Sequence, residues 1–273
     1  MDVPTPPGLA PLPEPYRALF RRAVEALAND PRVRAVWLGG SAARGVADAG
    51  SDLDLLVAVD DADAFLGSSA AWLDAIAPVV YARRGPGFVH AVTATCERFD
   101  VVAEDVADLA RTPYRYRLAV HDPDGLAAVL PAPEPARGPD VARMTALAEE
   151  FLRQQAIFPA AVVARQDWLL GVVGAENHRT MLYELFVEAN QPLPPMGVKQ
   201  WSAKLTDEQR AVLTSLPVPR PERDDLVAAV RAGATAWRTH GRAALEAAGG
   251  TWPAELDAAV TAYWTRELPE ETP

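Results

Sequence analysis

Very little in this 273-residue chain is cysteine or uninterrupted apolar sequence, and positive charge is in deficit. The one cysteine, Cys96, excludes an intrachain disulfide framework, and no Cys/His cluster is present for zinc. No run of about 18 apolar residues exists for a membrane span. The opening MDVPTPPGLAPLPEP is rich in proline and lacks the basic and apolar blocks of a leader peptide. Against 37 Asp and Glu there are 26 Lys and Arg, a formal net charge of -11. Such a balance argues against a broad polyanion-binding surface, which needs stripes of Lys and Arg, and is compatible with a cationic small substrate. These absences lead us to expect a cytoplasmic protein with no membrane partner and no extended nucleic acid partner. A hydrophobic content of 49% is ample for one large or two modest cores.

What the chain does have is concentrated in residues 33–59, VRAVWLGGSAARGVADAGSDLDLLVAV. An apolar run ends in Gly39-Gly40-Ser41, a loop follows, and a second apolar run opens with Asp52 and Asp54 on either side of one leucine. Glycines let backbone come close to an anion, and a helix starting after Ser41 would aim free N–H groups at it. Arg44, on the same loop, can touch a phosphate or pair with a neighbouring carboxylate. On a strand, Asp52 and Asp54 project to one side while Leu53 and Leu55 enter the core. Two carboxylates on one side suit a hard cation such as Mg²⁺ that takes its remaining ligands from water and a nucleotide's phosphates.

The pattern Leu38-Gly39-Gly40-Ser41, spacer, Asp52-Leu53-Asp54-Leu55 resembles the signature of the nucleotidyltransferase superfamily that includes DNA polymerase beta. The resemblance covers roughly the first 100 residues. It implies a metal-dependent enzyme, an adenylyltransferase type using ATP as the nucleoside triphosphate, with Gly39, Gly40 and Ser41 on the phosphates and Asp52 and Asp54 on two Mg²⁺ ions. Members of the superfamily carry a third carboxylate on a strand next to the Asp-apolar-Asp strand. Asp100, set in the β-type stretch ERFDVVAED, fits that position as metal ligand or general base. Glu104 is the second candidate, on the same side but about 13 Å further along an extended chain. His121 can be a base or a turn residue in HDPDG.

The remaining pattern predicts helices over 16–27 and 62–76, strands over 33–38, 52–59, 79–81, 89–95, 99–103 and 118–120, and an extended proline-rich segment over 1–15. PAPEPARGP, 131–139, reads as a linker between a domain at 16–130 and another at 140–273. Beyond it strand signals vanish, and helical spacing covers 141–173, 176–189, 207–216, 223–245 and 253–268. Pro159 should interrupt the first of these, and Gly171 and Gly174 should end it. The fold class expected is α+β: an N-terminal mixed-sheet nucleotidyltransferase domain with flanking helices, then a helical bundle packed through Phe151, Trp168, Tyr183, Phe186, Trp237 and Trp264.

This layout resembles the aminoglycoside and lincosamide nucleotidyltransferases of antibiotic resistance, in which the helical domain helps to form the acceptor cleft. It implies a small-molecule hydroxyl acceptor. Lys199, in MGVKQW, is a candidate for the triphosphate. Asp167 is the candidate for a cationic acceptor, since a carboxylate among the apolar neighbours of ARQDWLLGVV would be costly unless it faced a cleft or a partner. Glu149, Glu150, Glu176, Glu184 and Glu188 could join it. The competing readings are a non-catalytic nucleotide-binding or antitoxin-like protein, and an enzyme that nucleotidylates a protein side chain.

Overall fold

The computed structural model describes residues 5–113 and 115–269. The chain divides into two compact units, one made of Met1–Pro135 with Pro194–Gln200, the other of Ala136–Leu193 with Trp201–Pro273. No helix among the described residues is long and apolar enough to cross a membrane.

The first unit opens with helix α1 (Glu14–Ala28), which starts with Pro15 in its first turn and buries Tyr16, Leu19, Phe20, Ala23, Val24 and Leu27 as one stripe. Strand β1 (Val33–Leu38), the single turn α2 (Gly40–Ala43) and strand β2 (Leu53–Val59) carry the glycine and aspartate motifs. Helices α3 (Ala62–Gly67) and α4 (Ser69–Ile76) follow, then strands β3 (Val79–Gly85), β4 (Phe88–Thr93), β5 (Arg98–Asp105) and β6 (Leu118–His121). The six strands form one sheet in the order β3-β4-β5-β2-β1-β6. Only β2 with β5 is parallel; the other pairs are antiparallel, so the sheet is mixed.

Strand alternation sorts β2 cleanly. Leu53, Leu55, Val57 and Val59 enter the core that also holds Phe20, Leu27, Phe65 and Trp72 from the helices. Leu56 and Ala58 face the other way, beside Trp37 and Leu109. Asp54 shares this second side by period two.

Three local expectations are corrected. Residues 5–15 are not an extended surface segment: a helical turn at Pro7–Leu9 carries Leu9 and Leu12 into the core, where both are fully buried. Proline fixes φ but does not prevent apolar side chains beside it from being buried. Residues 1–4 lie outside the described part. The helix expected over 62–76 is broken at Ser68, whose hydroxyl donates to the Phe65 carbonyl. Glu104 is also not a metal or base candidate. Its carboxylate accepts from Arg117 Nη1 at 2.7 Å, both side chains are nearly fully buried, and the guanidinium lies over the Trp37 ring at 5.1 Å. Glu104→Gln would leave a buried arginine without its counter-charge and should cost about 3 kcal/mol of stability in urea unfolding, while the folded fraction keeps its kcat. A fall in kcat without loss of stability would return Glu104 to the site.

The second unit is helical: α5 (Val141–Phe158), α6 (Trp168–Ala189), α7 (Asp207–Ser215), α8 (Arg223–Ala236), α9 (Arg242–Ala247) and α10 (Ala254–Glu267). A π-type turn at Pro159–Val163 follows α5, and another at Trp237–Gly241 joins α8 to α9, each where one helix was expected. Phe151, Phe186, Trp237 and Trp264 are buried as core, Tyr183 is at the margin of burial and Trp168 is half-buried. Gly171 and Gly174 do not end a helix; both lie inside α6, and Gly171 packs where a Cβ would meet Leu226 and Val162. A small residue at a helix contact reads like a terminator in sequence.

Candidate active site

Asp54 and Asp100 stand directly across from each other on the parallel pair β2 and β5. Adjacent strands with matched register point opposed residues to the same side, so the sheet itself brings the two carboxylates together. Asp52 lies one residue before β2. Gly39 docks the loop onto this strand, its N–H donating to the Asp54 carbonyl at 2.9 Å. Gly40 has φ +59, and a Cβ there would fall 1.7 Å from Asp54 Oδ2, so only glycine fits so close to the carboxylate. The helix expected after Ser41 begins at Gly40 and is a single turn, with Arg44 as its C-cap.

An open cavity of about 780 Å³ lies over this side of the sheet. Gly40, Ser41, Arg44, Asp52, Asp54, Asp100 and Lys199 all line it, and Arg115 and Tyr116 join them from the segment before β6. Tyr114 lies outside the described residues. Lys199 arrives on the return segment Pro194–Gln200, its ammonium donating to Asp52 Oδ2 at 2.5 Å. Gln200 donates to Asp48 Oδ2 at 2.9 Å. Asp48 also accepts from the Gly50 N–H at 2.9 Å, which organises the loop ahead of Asp52.

Burial, followed by the charges of Asp52 and Asp100, pushes the Asp54 carboxyl up to about 6, against the pull of Lys199 and Arg44. A carboxylate raised by burial and by like charges, in a cavity, is a functional-site signature. Among the described residues no three His, Cys, Asp or Glu side chains are gathered into a ready-made metal cage. A divalent cation bound together with a triphosphate does not need one, because the phosphates complete its oxygen shell. Two observations fit such a guest. The Lys199 ammonium already stands against Asp52 as a cation would, and the buried Arg44 Nε has no hydrogen-bond partner.

The other sequence candidates stand elsewhere. His121 ends β6, paired with Val36, and does not line the cavity. Asp167 belongs to the second unit, where its exposed carboxylate caps α6 by accepting from the Leu170 N–H at 3.1 Å. That bond removes the cost that nominated it. Glu150, Glu184 and Glu188 are paired with Arg153, Arg143 and Arg137, and Glu176 lies 3.7 Å from Arg179. The carboxylates meant to attract a cationic acceptor thus have partners in their own unit, apart from exposed Glu149.

Sequence reasoning missed His90, whose Nδ1 lies 2.8 Å from Asp100 Oδ1. The signal was present. Counting outward from the turn at 93–97 pairs residue 90 with residue 100.

No curated protein matches the chain. Among solved structures there is similarity to the crystal structure of an aminoglycoside 6-adenyltransferase from Bacillus subtilis, with a TM-score of 0.41 and 13% identity over 92% of this chain and 97% of that one. The family model of the nucleotidyltransferase domain matches residues 20–81. That stretch runs from α1 into β3 and contains Gly39, Gly40, Ser41, Asp52 and Asp54, so the glycine loop and the first two aspartates of the cavity fall within the segment that is similar to the nucleotidyltransferase domain.

Proposed function

We propose that the chain transfers a nucleoside monophosphate, AMP from ATP, to a hydroxyl of a small acceptor. The observation that carries this reading is the pairing of Asp54 with Asp100 beside Asp52, in one cavity with Gly40, Ser41, Arg44 and Lys199. Backbone N–H groups of Gly40 and Ser41, the Ser41 hydroxyl and Arg44 hold the β- and γ-phosphates, the Gly39 N–H being committed to the Asp54 carbonyl. Asp52 and Asp54 would hold Mg²⁺, two ions in all with the help of the nucleotide, and the bound ions would neutralise the charge that builds on the transferring group and on pyrophosphate. Asp100 completes the set as ligand or takes the acceptor's proton. The acceptor oxygen bonds to the α-phosphorus as the bond from that phosphorus to pyrophosphate breaks.

The arrangement of a nucleotidyltransferase domain followed by helices makes aminoglycoside-like antibiotics the first acceptors to try, and the net charge of -11 is compatible with a cation. The test is a matrix of the four nucleoside triphosphates against a panel of cationic and neutral antibiotics, read by Mg²⁺-dependent pyrophosphate release. ATP should be preferred, with a mass gain of one AMP on the acceptor. No release with any pair, in a protein shown to bind Mg²⁺ and ATP, would overturn transfer in favour of a binding role.

Lys199 is assigned to the triphosphate, exchanging its partner Asp52 for phosphate oxygens. Lys199→Ala should raise the KM for ATP about tenfold, roughly 1.4 kcal/mol, with kcat within a few-fold of wild type. Because the side chain is 68% exposed, the ion pair with Asp52 contributes little to folding, and the unfolding curve should barely move. An unchanged KM would sink the assignment.

A further inference from the structure

The row of polar side chains across the sheet does not stop at Asp100. Antiparallel pairing of β4 with β5 sets His90 opposite Asp100, so the two share the cavity side of the sheet. His90 Nδ1 lies 2.8 Å from Asp100 Oδ1. A carboxylate oxygen only accepts, so a proton on Nδ1 is what would make so short a contact favourable. The imidazole has its own support. It packs on Phe88, two residues back, with ring centroids 4.3 Å apart. Phe88 in turn lies against Gly85 across the hairpin, where a Cβ would come within 2.2 Å of the ring. Asp100 lines the cavity and His90 does not, so the imidazole meets the carboxylate from the neighbouring strand β4.

We propose that His90 is a positioning residue: by engaging Asp100 Oδ1 it fixes the carboxylate's rotation and leaves Oδ2 for the acceptor hydroxyl, which makes Asp100 the proton acceptor rather than a chelating ligand. This rests on the nucleotidyl-transfer reading above. A carboxylate with one oxygen against an imidazole nitrogen has only the other to offer, and a base held in one rotamer needs no reorganisation when the acceptor arrives. In the step itself the acceptor O–H proton passes to Asp100 Oδ2 while the acceptor oxygen bonds to the α-phosphorus. Pyrophosphate departs with the electron pair of the broken P–O bond. His90 keeps its proton throughout.

Two measurements decide the matter. In the metal-free protein at about pH 9, ring ¹⁵N signals assigned with His90→Asn should show His90 as the Nδ1–H tautomer, and Asp100→Ala should return it to the Nε2–H form. In kinetics, pyrophosphate release from Mg²⁺–ATP with the acceptor found in the screen, or with water in its absence, should fall about 10- to 100-fold in kcat for His90→Ala. Binding of Mg²⁺ with a non-hydrolysable α,β-methylene analogue of ATP should stay within about twofold by calorimetry. His90→Asn, whose amide reaches the place of Nδ1, should recover most of kcat; His90→Gln, whose amide reaches the place of Nε2, should not. In an Asp100→Asn background His90→Ala should have no further effect.

An Nε2–H tautomer in the wild type overturns the proposal. So does a kcat unchanged in His90→Ala while Asp100→Asn is inactive, an outcome that leaves nucleotidyl transfer standing. If His90→Ala weakens analogue binding as much as it lowers kcat, the support is for a metal ligand and the proposal falls. Absence of transfer in the wild type would instead strike the reading on which the proposal rests, and the ring signals would still decide whether the contact exists.

Discussion

Asp54→Asn is expected to lose nucleotidyl transfer by more than about a hundredfold, some 2.7 kcal/mol of transition-state stabilisation, and to make the metal-free protein more stable at about pH 8. The gain in stability follows from the crowding at this carboxyl. Its pKa stands at about 6 in the fold against an ordinary value of 3.8, chiefly through burial and then through Asp52 and Asp100. A carboxyl with a raised native pKa holds its proton more tightly folded than unfolded. Its favourable contribution is therefore complete below about pH 4, is lost between about pH 4 and 6, and is absent above. At about pH 8 the wild type carries an ionised, half-buried carboxylate at a cost on the order of 2–3 kcal/mol, and asparagine does not. Thermal unfolding with a chelator present should show the variant a few degrees higher at about pH 8 and level with wild type near pH 3.5. Mg²⁺ with ATP should stabilise the wild type and leave the variant unmoved. Retention of more than about a tenth of wild-type turnover would refute the assignment of Asp54 to the metal.

Gly40→Ala should destroy activity as fully while moving stability the opposite way. A methyl at this position would sit 1.7 Å from Asp54 Oδ2 and 2.6 Å from its Cγ, with the backbone at φ +59. The left-handed conformation alone costs a side chain about 1–2 kcal/mol, and the carboxylate must also move out of line with Asp100. We expect a loss of at least about 2 kcal/mol in urea unfolding and turnover near that of Asp54→Asn. The pair can be separated by a suppressor. Gly40→Ala combined with Asp54→Ala should regain most of the stability and none of the activity, because the clash is with the carboxylate itself. If Gly40→Ala stays active, the loop does not hold Asp54 in place.

The part of the site that could be read from sequence is the part whose geometry is local. Alternation along β2 decides that Asp54 leaves the core as Leu53 and Leu55 enter it, and a period of two needs no partner strand to be read. Asp100 was recognisable because a charge inside a β-type run must face outward from that core. Its register with Asp54 depends on which strands become neighbours, a non-local outcome, whereas the place of His90 follows from the hairpin turn at 93–97. Asp167 was nominated on a cost that the fold removes. A one-turn side-chain contact, the cap on Leu170, satisfied a carboxylate that apolar neighbours had made to look unsatisfied. Leu9 and Leu12 were hidden by their prolines, since proline content marks a surface segment only when no large apolar residue is spaced to reach the core.

The return segment Pro194–Gln200 leaves α6, meets Asp48 and Asp52 through Gln200 and Lys199, and hands the chain back before α7. Its connectivity bears on inheritance. A gene cut after Pro135 would encode the whole sheet without the cation that faces Asp52, and a helical region exchanged between two such proteins would carry its own lysine along. Recombination at the obvious boundary therefore cannot trade the helices alone: each exchange also replaces part of the wall around the carboxylates, so changes in the helical region and in the aspartate-lined cavity would travel together through descent.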